Sequence, residues 1–189
     1  DEGAQLVQAC ASEPILQSAI KEAGGISALV RGMKYTASVL QAGGSKAPMP
    51  RAQAAAVGSL LQLTHDNADA QQIIDGEGLE LIVKNFTIQE NAQALRNCLD
   101  LLRRICILNE ANLQKVMDAD VMKGLQVVVT EKARGDVAMR KCIAKLLEVL
   151  QSKLSVKGFL EKLSTLASQG PVKFKGLEST LLTLRVLTY

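Results

Sequence analysis

The stretch Gln17-Ser18-Ala19-Ile20-Lys21-Glu22-Ala23-Gly24-Gly25-Ile26-Ser27-Ala28-Leu29-Val30 decides the fold. Leu16 and Ile20 stand one helical turn apart, the small residues Ala23-Gly24-Gly25 break the helix, and Ile26 to Val30 starts another at once. The same order returns twice. Asn67 to Glu77 gathers Ala70, Ile73 and Ile74 before the break Asp75-Gly76-Glu77-Gly78, and Leu79-Glu80-Leu81-Ile82-Val83 follows. Asn109 to Asp120 gathers Leu113, Val116 and Met117 before Asp118-Ala119-Asp120, and Val121-Met122-Lys123-Gly124-Leu125 follows. Each first segment opens on a residue suited to an N-cap: Ser12, Asn67 and Asn109.

Longer amphipathic segments lie between these pairs. They are Arg51 to His65 (Ala54, Val57, Leu60, Leu61, Leu63), Asn91 to Leu108 (Leu95, Cys98, Leu99, Leu102, Ile105) and Val137 to Leu150 (Met139, Ile143, Leu146, Leu147, Leu150). All carry the stripe of a helix that buries one side. Leu79 to Val121 is 42 residues, and so is Asn67 to Asn109; Ile26 to Leu79 is 53. The excess falls in Gln41-Ala42-Gly43-Gly44-Ser45-Lys46-Ala47-Pro48-Met49-Pro50, whose Gly pair and two prolines have loop chemistry. A period near 42 residues, with short, second and long helices, points to an α-solenoid.

Composition agrees. Of 189 residues 48% are hydrophobic, only 3% are aromatic and none is Trp, so the apolar bulk is Ala, Leu, Val and Ile, which suits packed helices. The charged fraction of 22%, set against that apolar bulk, excludes a fully disordered chain. The net charge of +3 is uneven: from Glu131 onward eleven Lys/Arg face five Asp/Glu, while the rest of the chain is net acidic. That asymmetry could steer an acidic partner to the C-terminal third. With few aromatics and no recognisable module, nucleic-acid binding is not favoured.

The quoted segment, Leu60-Leu61-Gln62-Leu63-Thr64 running through Asn67 to Leu79, and Leu102 to Val121 resemble armadillo repeats. The resemblance covers about residues 5–150. Beyond them Gly158 to Ala167 resembles a second helix and Phe174 to Leu187 a long third helix, with the first helix reduced to Ser155-Val156-Lys157. It implies an all-α, armadillo-type right-handed superhelix of about four repeats. The layout would be one domain over 1–189: a partial repeat at 1–11, repeats at about 12–66, 67–108 and 109–153, and a degenerate one at 154–189. Helical pattern at both termini and the missing initiator Met mark the chain as a piece of a longer protein. Ala52, Ala54, Ala55, Ala56 and Gly58 would let helices approach closely, and Gly25, Gly78 and Gly158 would take positive φ at helix junctions.

In such arrays the long helices line a concave groove, and peptide-binding members carry a recurring Asn there with a Trp one turn earlier. Gln62 and Arg104 fall at the Asn positions here, with Ala9 in the first repeat, and Gly58 and Asp100 at the Trp positions. The nuclear-import type of ladder is therefore absent. Gln62 and Arg104 remain the leading groove candidates, because an amide pairs with peptide N–H and C=O groups and Arg grips carboxylates. Arg96, Asp100, Arg103, Arg140 and Lys141 would add charge selectivity. The resemblance implies a non-catalytic scaffold that binds a protein or peptide partner along the groove. Two alternatives are a docking module of a cytoskeletal, ciliary or motor-linked assembly, and a chaperone cofactor.

Chemistry of other kinds finds little purchase. His65, beside Asp66, has no marked nucleophile or metal partner and reads as a helix-end residue. Gly43-Gly44-Ser45-Lys46 lacks the spacing of a phosphate loop, and no acidic run matches a calcium loop. Its better reading is as part of an insertion, which solenoids often turn toward partners. Cys10, Cys98, Cys106 and Cys142 have no close pairing and sit in apolar contexts, as small hydrophobes in a reduced compartment would. The expectations are therefore no catalytic residues, no metal, no cofactor and no small-molecule substrate. No stretch has the length of a membrane span. The expected setting is cytoplasmic, with nuclear or cytoskeleton-associated variants.

Overall fold

Asn91 and Asn109 bracket the best-formed element of the chain. Asn91 Oδ1 accepts from the backbone N–H of Gln93 and Ala94, and Asn109 Oδ1 accepts from that of Ala111, so these two amides start successive helices. In a computed structural model, which describes residues 2–41 and 49–153, ten α-helices follow. They are α1 (Glu2–Ala11), α2 (Pro14–Glu22), α3 (Gly25–Gln41), α4 (Met49–Leu63), α5 (Asn67–Asp75), α6 (Gly78–Ile88), α7 (Ala92–Leu108), α8 (Glu110–Asp118), α9 (Val121–Val127) and α10 (Val137–Lys153). A π-helical turn, Val128–Lys132, extends α9, and no strand occurs among the described residues. Of the expected Gly43 to Pro50 insertion, residues 43–48 lie outside the described residues, as do the segments 155–157, 158–167 and 174–187, while Met49 and Pro50 open α4 rather than belonging to a loop.

The helices pack in a repeating order. The long helices α1, α4, α7 and α10 form one row, each against the next, and α3, α6 and α9 form a second row. The short helices α2, α5 and α8 each pack against the second-row helix that follows and against the next long helix. Polar contacts between layers join residues 40 to 48 apart, which is the sequence period expressed in space. Examples are Lys21 Nζ to Asp69 Oδ2 at 2.9 Å and Lys34 Nζ to Glu77 Oε2 at 2.7 Å. One continuous core runs through the stack, from Ile26, Met33 and Leu63 through Phe86, Leu99 and Leu102 to Met139 and Leu146.

Several local expectations are corrected. The N-cap of α2 is Glu13, not Ser12, because Pro14 fixes the first helical turn, and Ser12 Oγ donates back to Gln8 O. The N-cap of α5 is Asp66, not Asn67: Asp66 and Asp69 form a reciprocal capping box, and the bond from the Asp69 N–H holds the Asp66 carboxyl below its ordinary pKa. The first long helix runs Met49–Leu63, so His65 lies in the link after it rather than ending it.

Positive φ belongs not to Gly25 and Gly78 but to the residue before each, Gly24 (75°) and Glu77 (62°), and to Asp120 (58°) at the third junction; Gly158 lies outside the described residues. Gly25 and Gly78 are required for another reason. A Cβ at Gly25 would sit 2.7 Å from the Ile20 carbonyl oxygen, and one at Gly78 2.7 Å from that of Ile73. The backbone of the next helix crosses that close to the end of the previous one. On α4 a Cβ at Gly58 would meet the Gln8 side-chain amide, Nε2 at 2.5 Å, so this glycine makes room for a side chain of α1.

Candidate functional site

The registers of α4, α7 and α10 follow from their buried residues. Ala56, Val57, Leu60 and Leu63 of α4 correspond to Cys98, Leu99, Leu102 and Ile105 of α7. On α10 the equivalents are Ile143, Leu146, Leu147 and Leu150 for Cys98, Leu101, Leu102 and Ile105. The N-caps agree, because Asp136 Oδ1 accepts from the Met139 N–H at α10 as Asn91 does at α7. The flank beside these residues, buried at Gly58 and otherwise less so, then forms rungs across the three helices: Ala54–Arg96–Lys141, Gly58–Asp100–Lys145, Leu61–Arg103–Glu148 and Gln62–Arg104–Val149.

Gln62, Arg96, Asp100, Arg103, Arg104 and Lys141 are thus on one surface. Arg140 is not: it occupies the register of buried Leu95, on a flank exposed on α10. The surface also includes Gln93, Asn97, Cys142 and Lys145, which the sequence reading passed over. The signal that would have found them is the 45-residue spacing from Asn91 to Asp136, three more than the 42-residue period, read as paired N-caps.

Arg104 has a structural task. Its Nη1 donates to Leu61 O at 2.6 Å and Thr64 O at 3.0 Å, so the guanidinium caps the carbonyl end of α4, where the helix dipole is negative. Lys132 does the same for α6 through Thr87 O and Gln89 O. Arg96 is ion-paired to Asp136 at 2.9 Å and also donates to Gln93 Oε1, joining α7 to the start of α10. Asp100 Oδ1 stands 3.6 Å from Arg103 Nε, which is buried without a hydrogen-bond partner, and its other oxygen faces Cys142 Sγ at 3.9 Å. Gln93 Nε2 donates to Asn97 Oδ1. Gln62 and Lys141 are exposed.

The surface thus carries amide and charged groups mainly on α7 and α10, with Gln62 the polar group among the α4 rung positions, and such groups can hydrogen-bond a bound chain and orient charged side chains on it. Its cysteine is a poor nucleophile: burial first, then the Asp100 carboxylate, pushes the Cys142 thiol up. Burial pushes Cys98 and Cys106 up to about 12. The lone imidazole, His65, is held by Gln17: its Nε2 meets Gln17 Oε1 at 2.8 Å while the Gln17 amide donates to Ala11 O. Since that amide nitrogen already serves Ala11, the oxygen accepts and His65 Nε2 carries the hydrogen. Among the described residues no three His, Cys, Asp or Glu side chains converge as a metal site, and no helix is long and apolar enough to cross a membrane.

No protein-family model and no curated protein matches the chain. Among solved structures it is similar to crystal structures of engineered proteins from the Northeast Structural Genomics Consortium. One is 20% identical with a TM-score of 0.61, over 91% of this chain and 68% of that one. A second is 20% identical with a TM-score of 0.61, over 97% of this chain and 43% of the other, so this chain spans less than half its length. A third is 19% identical with a TM-score of 0.52, over 98% and 90%. At this identity the likeness concerns the fold alone.

Proposed function

We propose that the chain is an armadillo-type α-superhelix that acts as a non-catalytic interaction scaffold and binds an extended peptide across α4, α7 and α10. The observation that carries this reading is the ladder of rungs. Equivalent positions on neighbouring helices set exposed Gln62 beside Arg104, and Arg96 beside exposed Lys141, on one surface, with both Arg side chains anchored by intramolecular contacts. Repeated polar groups at the inter-layer spacing match a ligand that is itself periodic, and an extended peptide backbone is such a ligand. The stacking of like helices in two rows supports the superhelix. The engagement of His65 with Gln17 and the high thiol pKa values favour binding over covalent chemistry.

The test is selection of peptides from a random displayed library against the chain, followed by titration of a selected peptide against surface variants. Gln62→Ala and Lys141→Glu change exposed side chains, so the melting temperature should hold while affinity falls roughly tenfold, the size of one lost polar contact to a charged group. Peptides whose affinity ignores both substitutions would remove the groove reading.

A further inference from the structure

On the surface formed by α7 and α10 the hydrogen-bond acceptors are already engaged. Gln93 Oε1 accepts from Arg96 Nε at 3.4 Å and Nη2 at 3.1 Å. The other end of that amide is therefore a donor, and its Nε2 bonds Asn97 Oδ1 at 2.9 Å. Asp136 gives one oxygen to the Met139 N–H and the other to Arg96. Asp100 stands between Arg103 Nε and Cys142 Sγ. Exposed Glu148, three residues past Lys145, is the acid on these rungs without an ion pair among the described residues, and it bounds the surface toward the end of α10.

The donors, by contrast, are left over. The order Arg96 to Gln93 to Asn97 ends on Asn97 Nδ2, and the Arg96 charge polarises the whole series toward that end. Asn97 Nδ2 has no partner among the described residues and lies over Gly58, where a Cβ would stand 3.4 Å from it. Lys141 and Lys145 are exposed one turn apart, and neither makes an ion pair among the described residues. Exposed Arg134 and Arg140 extend the positive field without standing on the rungs. A surface whose oxygens are taken and whose N–H groups are free selects a ligand rich in acceptors.

The chain's own stretches outside the described residues do not supply such a ligand. Residues 42–48 hold Lys46 and no acid, and 154–189 hold five Lys/Arg against two Glu. Nucleic acid is the poorer match among polyanions, because no aromatic side chain stands on the rungs to stack a base. We infer, resting on the peptide-binding reading of the same surface, that the segment bound across α7 and α10 belongs to a partner protein and is acidic. Its carboxylates meet Lys141 and Lys145, and one of its oxygens accepts from Asn97 Nδ2.

The experiment takes peptides selected from a random displayed library on the 189-residue chain, reads their composition and titrates one of them by anisotropy. An excess of Asp and Glu is expected, with affinity that weakens as NaCl is raised. Lys145→Glu should lower affinity roughly tenfold, the loss of one charged contact. Lys145→Gln should weaken binding less, and it separates removal of the charge from its reversal. A peptide whose acids are changed to Lys should bind the Lys141→Glu/Lys145→Glu chain more tightly than the unaltered one. Peptides that lose affinity with Gln62→Ala yet lack acids, or ignore both changes at Lys145, would overturn this inference and leave the groove reading standing. Peptides indifferent to Gln62→Ala and Lys141→Glu alike mark the failure of the groove reading itself, and the inference goes with it. A single-stranded oligonucleotide that displaces the peptide at equal concentration would also overturn it, by assigning the cations to phosphate.

Discussion

Arg104 carries more of the architecture than its place in a groove pattern suggests. One guanidinium nitrogen holds two carbonyls, at Leu61 and Thr64, that would otherwise end α4 without partners. Arg104→Gln should therefore destabilise the chain by about 1.5–3 kcal/mol, read from the midpoint of urea unfolding, since it removes a charge-assisted contact at a helix terminus. Charge reversal there would mix loss of stability with loss of binding, which is why Gln62 and Lys141 are the cleaner positions for a groove test. The sequence marks Arg104 as polar on an amphipathic helix. That its charge is spent on the previous layer depends on which carbonyls lie within reach, and periodicity carries no such information.

Among the elements, the helix junctions are governed by two separate constraints that the sequence shows as one. The break residues Gly24, Glu77 and Asp120 take positive φ, and the next residue must be small where the helices cross closely. Gly25 and Gly78 serve the second need, so Gly78→Ala should cost about 1–3 kcal/mol, because its Cβ would press on the carbonyl of Ile73. Gly32→Ala should do the opposite and raise stability by about 0.5–1 kcal/mol, since that glycine is in a helix interior with open space around it. Thermal unfolding of the pair checks both signs. The N-caps tell a similar story. Asn109 was legible because nothing competes with it, whereas Pro14 displaced the start of α2 and the Asp66–Asp69 capping box displaced that of α5.

Across the whole molecule the layers share one core, so damage in one layer is felt throughout. Leu102 is fully buried in α7, between the neighbours α4 and α10. Leu102→Ala should cost about 2–5 kcal/mol, with a single unfolding transition monitored by circular dichroism. Separate transitions for the layers on either side would contradict a shared core.

The sequence by itself determined the all-helical class, the period of the repeat and most of the buried positions. Leu63, Ile73, Leu99, Leu102, Ile105 and Leu146 all sit in stripes that only a helix of that period can bury. These follow from chemistry local to each segment. Only the tertiary structure decided how the rungs align and which charges are already taken by neighbouring layers. The reason is physical: a periodic pattern fixes which side of a helix is oily. Which residue of the next helix arrives there depends on crossing geometry and on distances between atoms some forty residues apart.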